Sequence, residues 1–189
     1  MKHRLVLFLQ LLLGTCSAYD YPNLALRGRA TQSDRYLHEF GAASNAIDGN
    51  RDSNFDAGSC TISDAQTNPW WRVDLLEPYI VTSIIITNRD SVPERINGAE
   101  IHIGNSLQDN GVANPVVGVI PRIPAGRSLK ITFTSRVEGR YVTVALPGSG
   151  KILTLCEVEV YGYRAPTGEN LELQGNATLT AIDGNDDRK

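Results

Sequence analysis

The chain has 189 residues, with 18 Lys and Arg against 21 Asp and Glu and a formal charge of −3. That length holds one domain of ordinary size and a short remainder. A mildly acidic chain without Lys/Arg clusters is not built to bind nucleic acid.

The first segment, MKHRLVLFLQLLLGTCSA (1–18), places a basic start (Lys2, His3, Arg4) before an apolar run from Leu5 to Leu13 and a small-residue end. This is the pattern of a secretory signal peptide cut after Ala18. The alternative is a membrane anchor, but the run falls short of the ~20 residues a span needs. No later segment is long and apolar enough to span, so the expectation is a secreted, extracellular protein without membrane insertion. Cleavage removes Lys2 and Arg4 and no acid, which moves the formal charge from −3 to −5.

Next comes NLALRGRATQS (23–33), and then SNAIDGNRDSNFDAGSC (44–60), a stretch of Asn, Asp, Ser and Gly with little apolar material and no clear period. From Trp70 onward the text is strand-like: WWRVDL, YIVTSIIITN, AEIHIGN, SLKITFTS, GRYVTVALPG and TLCEVEVYGY. These runs are rich in Val, Ile, Thr and Tyr. In the fifth, Val142, Val144 and Leu146 alternate with Tyr141, Thr143 and Ala145, the two-residue period of a strand. Gly, Pro, Asn and Asp punctuate them, and no amphipathic helix of useful length intervenes. Short strands so punctuated predict an antiparallel sandwich or barrel with function on its end loops.

The domain is predicted to run over 19–163, followed by a linker, RAPTGE (164–169). After it NLELQGNATLT (170–180) echoes 23–33, and AIDGNDD (181–187) echoes AIDGNRD (46–52). Such self-similarity marks a repeat, but ~20 residues cannot build a core. The segment 170–189 therefore reads as the truncated start of a second domain, carrying the sequon Asn176-Ala177-Thr178.

Asp48, Asn50, Asp52 and Asn54 alternate in the oxygen-rich loop, which invites comparison with an EF-hand. That loop needs Gly at its sixth position and Glu at its twelfth; counted from Asp48, the chain has Ser53 and Ser59. One reading is a run of Asx-turns, in which side-chain oxygens satisfy backbone N–H groups. The cysteines open a second reading. Cys16 leaves with the leader, and in an oxidising compartment Cys60 and Cys156 pair economically as one disulfide, the alternative being two buried free thiols. The bond would bring Ser59 beside Glu157. Calcium takes six to eight oxygens, many of them carbonyls, with carboxylates to offset its charge. Asp48 and Glu157 could supply that charge, with backbone carbonyls and the Ser59 hydroxyl filling the remainder.

These segments together resemble the F-type lectins, or fucolectins, with a likeness to eel and other fish members. The matching stretches are NLALRGRATQS, SNAIDGNRDSNF, GSC, NPWWRVDL, TNR, ER, GAEI, GRYVTV and CEVEVYGY, in order from Asn23 to Tyr163. The resemblance implies an all-β, discoidin-like jelly-roll sandwich whose end loops bind L-fucose. It implies one structural Ca2+ held by carbonyls of Asn45, Asn50, Ser59 and Cys156, the side chains of Asp48 and Glu157, and the Ser59 hydroxyl. All six residue types are present. The family's sugar motif is a histidine, twenty-six intervening residues, then Arg-x-Asp-x-x-x-x-Arg/Lys. Its arginines map to Arg89 and Arg95, and a guanidinium fork suits clustered hydroxyls and a ring oxygen.

The chain departs from that motif. The histidine's position holds Ile62, the Arg89–Arg95 spacing is one residue short, and Asp90 stands one place early. Some relatives carry a vicinal cysteine pair where this chain has Ser91-Val92, and close relatives an aromatic at Asp56. The loop DRYLHEFGA (34–42) is shorter than in eel lectins, and its His38 is a candidate substitute for the missing histidine.

An enzyme is not expected. The mature segment offers only His38 and His102, without Gly-x-Ser-x-Gly, zinc-ligand spacing or a phosphate loop. The expected function is that of a calcium-containing lectin for fucosylated glycans on cell or microbial surfaces, serving innate recognition. The alternative is a lectin-fold structural or partner-binding domain with weakened or altered sugar specificity, because of Ile62. Homotrimers occur among fish relatives, and multivalence raises avidity for crowded glycans.

Overall fold

The computed structural model describes residues 21–35 and 40–166. The leader, His38, residues 167–169 of the linker and the repeat over 170–189 lie outside the described residues. The strands are β1 (Arg29–Gln32), β2 (Thr61–Ile62), β3 (Trp70–Thr87), β4 (Glu100–Gly104), β5 (Val116–Val119), β6 (Ser128–Ala145), β7 (Thr154–Leu155) and β8 (Glu157–Arg164). Every pairing between them is antiparallel, as the expected β-sandwich requires.

Two sequence runs that read as separate strands, WWRVDL and YIVTSIIITN, are one strand, β3. Its pairing with β6 breaks between Asp74 and Tyr79 and again between Val81 and Ser83. Before the first break β3 pairs with β1; after it β3 pairs with β8. Pro78 falls at that break, where a missing N–H is tolerated, and Leu76 turns out at φ 72° with its N–H held by Asp74 Oδ1 at 2.8 Å. A strand bent this way serves both layers. SLKITFTS and GRYVTV are likewise the two halves of β6, which pairs with β3 along both. Gly139 lies at the bend of β6, where a Cβ would come within 2.5 Å of the Gly104 backbone. β5, which the pattern did not predict, lies at the sheet edge against β4.

Both ends of β3 reach one end of the sandwich: Leu146, next to the Trp70–Ala145 pair, and Arg95, beyond the Thr87–Ser128 pair, line one cavity. Between the layers Trp71, Val73, Ile84 and Ile86 of β3 pack with Ile101, Val142, Val144, Val158 and Val160. The alternation predicted for β6 places Val142, Val144 and Leu146 in this core. Its other face is buried too, with Thr143 at 0% exposure. Gly111 covers Thr143, and the Arg72 guanidinium lies over the rings of Trp70 and Tyr141 at 5.1 and 5.9 Å. A second, smaller cluster (Phe55, Cys60, Ile62 and Cys156, with Ile152 against it) sits under the end loops.

Candidate functional site

The oxygen-rich loop forms a run of Asx-turns. Asp48 Oδ1 accepts from Asn50 N at 2.8 Å, Asn50 Oδ1 from Asp52 N, Asp52 Oδ1 from Asn54 N and Asn54 Oδ1 from Asp56 N, the last three at 3.0 Å. Each oxygen satisfies the N–H two residues on, so the backbone needs no sheet partner. Asn54 also caps the short 3-10 turn Phe55–Ala57, which ends at Gly58 in the left-handed region (φ 78°). The Ser59 hydroxyl closes the loop by donating to Asn54 O at 2.8 Å.

Three long-range ties hold this loop to β8 and to Cys156 just before it. The disulfide Cys60–Cys156 forms as expected, across 96 residues. Arg51 grips Glu159 with a bidentate fork, its second nitrogen at 2.7 Å, and the Tyr161 hydroxyl donates to the same carboxylate. Burial pushes the Glu159 carboxyl up, but the bonds from Arg51 and Tyr161 outweigh it and leave the group below its usual range. Third, Gly49 N donates to Glu157 Oε1 at 3.1 Å.

Glu157 is the unusual group. It is 0% exposed, and its Oε2 has no hydrogen-bond partner. Burial, aided by the charges of Asp48 and Glu159, pushes its carboxyl up to about 8. A buried acceptor without a donor costs about 1–3 kcal/mol, more when charged, so the site fits a cation. Only Asp48 and Glu157 of the predicted set bring carboxylates. Among the described residues no group of three or more His, Cys, Asp or Glu side chains is arranged to hold a metal. Few carboxylates amid many carbonyls suit a hard, oxygen-loving ion such as calcium rather than a transition metal. The Ser59 hydroxyl uses its proton on Asn54, and its lone pairs remain for an ion. Asn45 plays a further part: its amide donates to Phe40 O and Cys60 O, tying the preceding loop to the disulfide.

Beside this loop stand the two arginines. Arg89 stands two residues past the end of β3, and its guanidinium lies 4.5 Å over the Phe55 ring. Its Nε is buried without a hydrogen-bond partner. Burial lowers its affinity for the proton, as does neighbouring Arg95, while Asp56 and Asp90 partly offset both. Among the described residues neither guanidinium has a carboxylate within ion-pair distance. Arg95 rides on a 3-10 turn, Pro93–Ile96. The shortened spacing is absorbed by Val92, which takes left-handed backbone (φ 49°, ψ 48°) at the start of that turn, a costly shape for a β-branched residue. A cavity of about 220 Å³ runs from Arg95 to Lys151 and Ile152.

The sequence thus named Arg89 and Arg95, and the fold brings them together. Ile62 is 7% exposed and belongs to the small cluster with Phe55, the disulfide and Ile152. It forms part of an apolar wall beneath the arginines' neighbour Phe55. The sequence reading missed Phe55 as the ring under Arg89. It noted Asp56 where relatives have an aromatic, and the signal that would have found Phe55 is its place at the first position of a capped turn. His38 lies outside the described residues.

Comparison with known proteins supplies the context. A family model described as a NedA-like, galactose-binding domain matches residues 45–144. Fucolectin of Anguilla anguilla is 54% identical over 146 residues, which covers 75% of this chain and 92% of that protein. The structure of an F-lectin (fucolectin) from Morone saxatilis serum superposes with a TM-score of 0.81 at 70% identity. It is matched over 88% of this chain, which spans 61% of that chain's length. A fucose binding module of Streptococcus pneumoniae superposes with a TM-score of 0.65 at 31% identity, over 75% of this chain and 96% of that one.

Proposed function

The chain belongs to the F-type lectin family, and from that premise we propose that it binds terminal L-fucose on glycans at the loop end of the sandwich, beside a structural calcium ion. Its relatives are carbohydrate-binding lectins, and the chain is not an enzyme. One observation carries the reading. The Arg89 guanidinium stacks on Phe55 and keeps a buried Nε–H without a partner, beside Arg95, which also lacks an ion pair among the described residues. Two cationic forks without an ion pair among the described residues, set beside an apolar wall, suit a sugar that has both clustered hydroxyls and a methyl group. Arg89 and Arg95 would donate to the hydroxyls and ring oxygen. Phe55 would hold the Arg89 plane, and Ile62 with Ile152 would face the apolar side.

The ion would be held by Asp48, Glu157, the Ser59 hydroxyl and carbonyls of Asn45, Asn50, Ser59 and Cys156. It would supply charge to the orphaned Glu157 oxygen and fix the loop that carries Phe55. We further propose that the protein is secreted through its N-terminal leader, recognises fucosylated surface glycans in innate defence, and gains avidity as a homotrimer.

Calorimetry with L-fucose tests the central claim. Wild type is expected to bind with Arg89→Ala abolishing the heat. A wild type without heat, and without signal from fucosylated oligosaccharides, would overturn the reading.

A further inference from the structure

We propose that Asn88, an uncharged residue immediately before Arg89, is the positioning residue of the arginine pair: its buried amide sets Arg89 and Arg95 at the separation the sugar requires. This rests on the fucose reading of the site. Two neighbouring guanidiniums repel, and no carboxylate among the described residues pairs with either. Neither can hold the other, so their spacing must be imposed by the backbone between them. That backbone includes the left-handed Val92; the turn after it is anchored by Ile96 in the core, and the stretch joining that turn to Arg89 is what Asn88 spans.

Asn88 is 2% exposed. Its Nδ2 donates to Pro93 O, at the start of the turn bearing Arg95, and to Ile123 O, both at 2.9 Å. Its Oδ1 accepts from Arg89 N at 2.9 Å. The amide's orientation follows from chemistry: two bonds end on carbonyls, which only accept, and the third begins on an N–H, which only donates. One side chain therefore ties three segments together. The third segment closes the ring, because Gly126 N donates to Arg89 O at 3.2 Å and Asn88 N to Arg127 O at 2.9 Å. Asp90 N reaches Ser53 O at 3.1 Å, which joins this clamp to the oxygen-rich loop. No other residue type of similar size supplies two donors and an acceptor in this pattern. A carboxylate would turn acceptors toward two carbonyls, and a methyl group would leave three backbone groups without Asn88's bonds.

The test uses L-fucose calorimetry together with NMR of arginine Nε–H groups. Asn88→Ala should weaken L-fucose binding at least tenfold and shift the Arg89 and Arg95 Nε–H signals, while that of Arg140, which is paired with Asp74, stays in place. Asn88→Ser, which keeps one hydrogen-bonding group, should fall between. Val137→Ala, a core lesion near the far-end bend of β6, should lower the melting temperature with less than a twofold change in affinity. The idea is overturned if Asn88→Ala folds, melts lower, and yet keeps both wild-type affinity and wild-type arginine signals. If wild type takes up no fucose, the functional reading fails, and the arginine signals still decide on Asn88. If neither Asn88 variant folds, the wild-type side-chain amide decides: slow hydrogen exchange at Asn88 Nδ2 upholds the clamp, and exchange as fast as that of exposed asparagines sinks it.

Discussion

Two irregular segments meet at the loop end, and they solve the same problem in opposite ways. Residues 48–59 turn their side-chain oxygens on their own backbone two residues on, and then fasten to β8 through a disulfide, an ion pair and Gly49. Residues 88–97 leave both guanidiniums without an ion pair among the described residues, and they brace their backbone on the buried amide of Asn88 and on bonds to neighbouring segments. The first is a scaffold that satisfies itself; the second keeps donors open for something else. A buried guanidinium nitrogen left unpaired in the second segment, and a buried carboxylate oxygen of Glu157 left unpaired on β8 beneath the first, are costs that a sugar and an ion would each offset.

The largest lever on this contrast is the disulfide. Removing it with Cys60→Ala and Cys156→Ala should lower stability by up to roughly 4–5 kcal/mol, the chain-entropy figure for a loop of ~100 residues. Amide exchange should then quicken through 48–60, while 88–97 keeps its protection because Asn88 does not depend on the sulfurs. Equal loss in both loops would show that they are one cooperative unit rather than two.

Glu157→Gln comes next and has a sign that depends on calcium. Without the ion, replacing a fully buried carboxyl with a neutral amide should raise the melting temperature at neutral pH, because burial pushes the group up to about 8 and folding must either take up a proton or bury the charge. With the ion at ~100 times its dissociation constant, wild type should gain roughly 2.7 kcal/mol and the variant almost nothing. Thermal melts with calcium and with chelator read both effects. A wild type whose melting point ignores chelator, with no metal by elemental analysis, would remove the ion from the scaffold.

What the sequence made legible follows the range of each interaction. The Asx-turns were legible because each rung spans two residues, and residue type alone announces it. The strands were legible from alternation, although not the continuity of β3, because the break at Asp74–Tyr79 looks like an ordinary strand end until β8 is seen to pair beyond it. Edge strand β5 escaped because Val116–Val119 shows no clean alternation and stays largely exposed. Arg89 and Arg95 were reached only through resemblance. Asn88 and the Arg51–Glu159 clasp were invisible, since a lone Asn or Arg carries no mark of partners 35 or 108 residues away.

Ile62 tests how far the two segments share one wall. Ile62→His should strengthen L-fucose binding by roughly tenfold, about 1.4 kcal/mol, by restoring a hydrogen-bonding ring at the motif's position. It should also lower the melting temperature, because Ile62 packs against Phe55 and the disulfide and a buried ring nitrogen without a partner is costly. Calorimetry and melts on the one variant separate the gains. Weaker binding in place of stronger would mean that the isoleucine touches the sugar, and that the pocket prefers a different pose.

Asn54→Ala gives the smallest effect and the cleanest contrast with Asn88. Both are asparagines whose amides serve backbone groups, yet Asn54 acts on its own turn and Asn88 on three segments. Asn54 caps Phe55–Ala57 through Asp56 N, and losing such a cap costs typically ~1 kcal/mol. The Ser59 hydroxyl bonds the Asn54 carbonyl rather than its side chain, so that tie survives the substitution. Phe55 remains anchored in the small cluster with the disulfide, so the ring under Arg89 should stay in place. The expected outcome is therefore a melting temperature a few degrees lower and L-fucose affinity within twofold of wild type. A tenfold loss of affinity from this one rung would show that the sugar reads the oxygen-rich loop directly through Phe55, and the division between scaffold and binding segment would have to be redrawn at that residue.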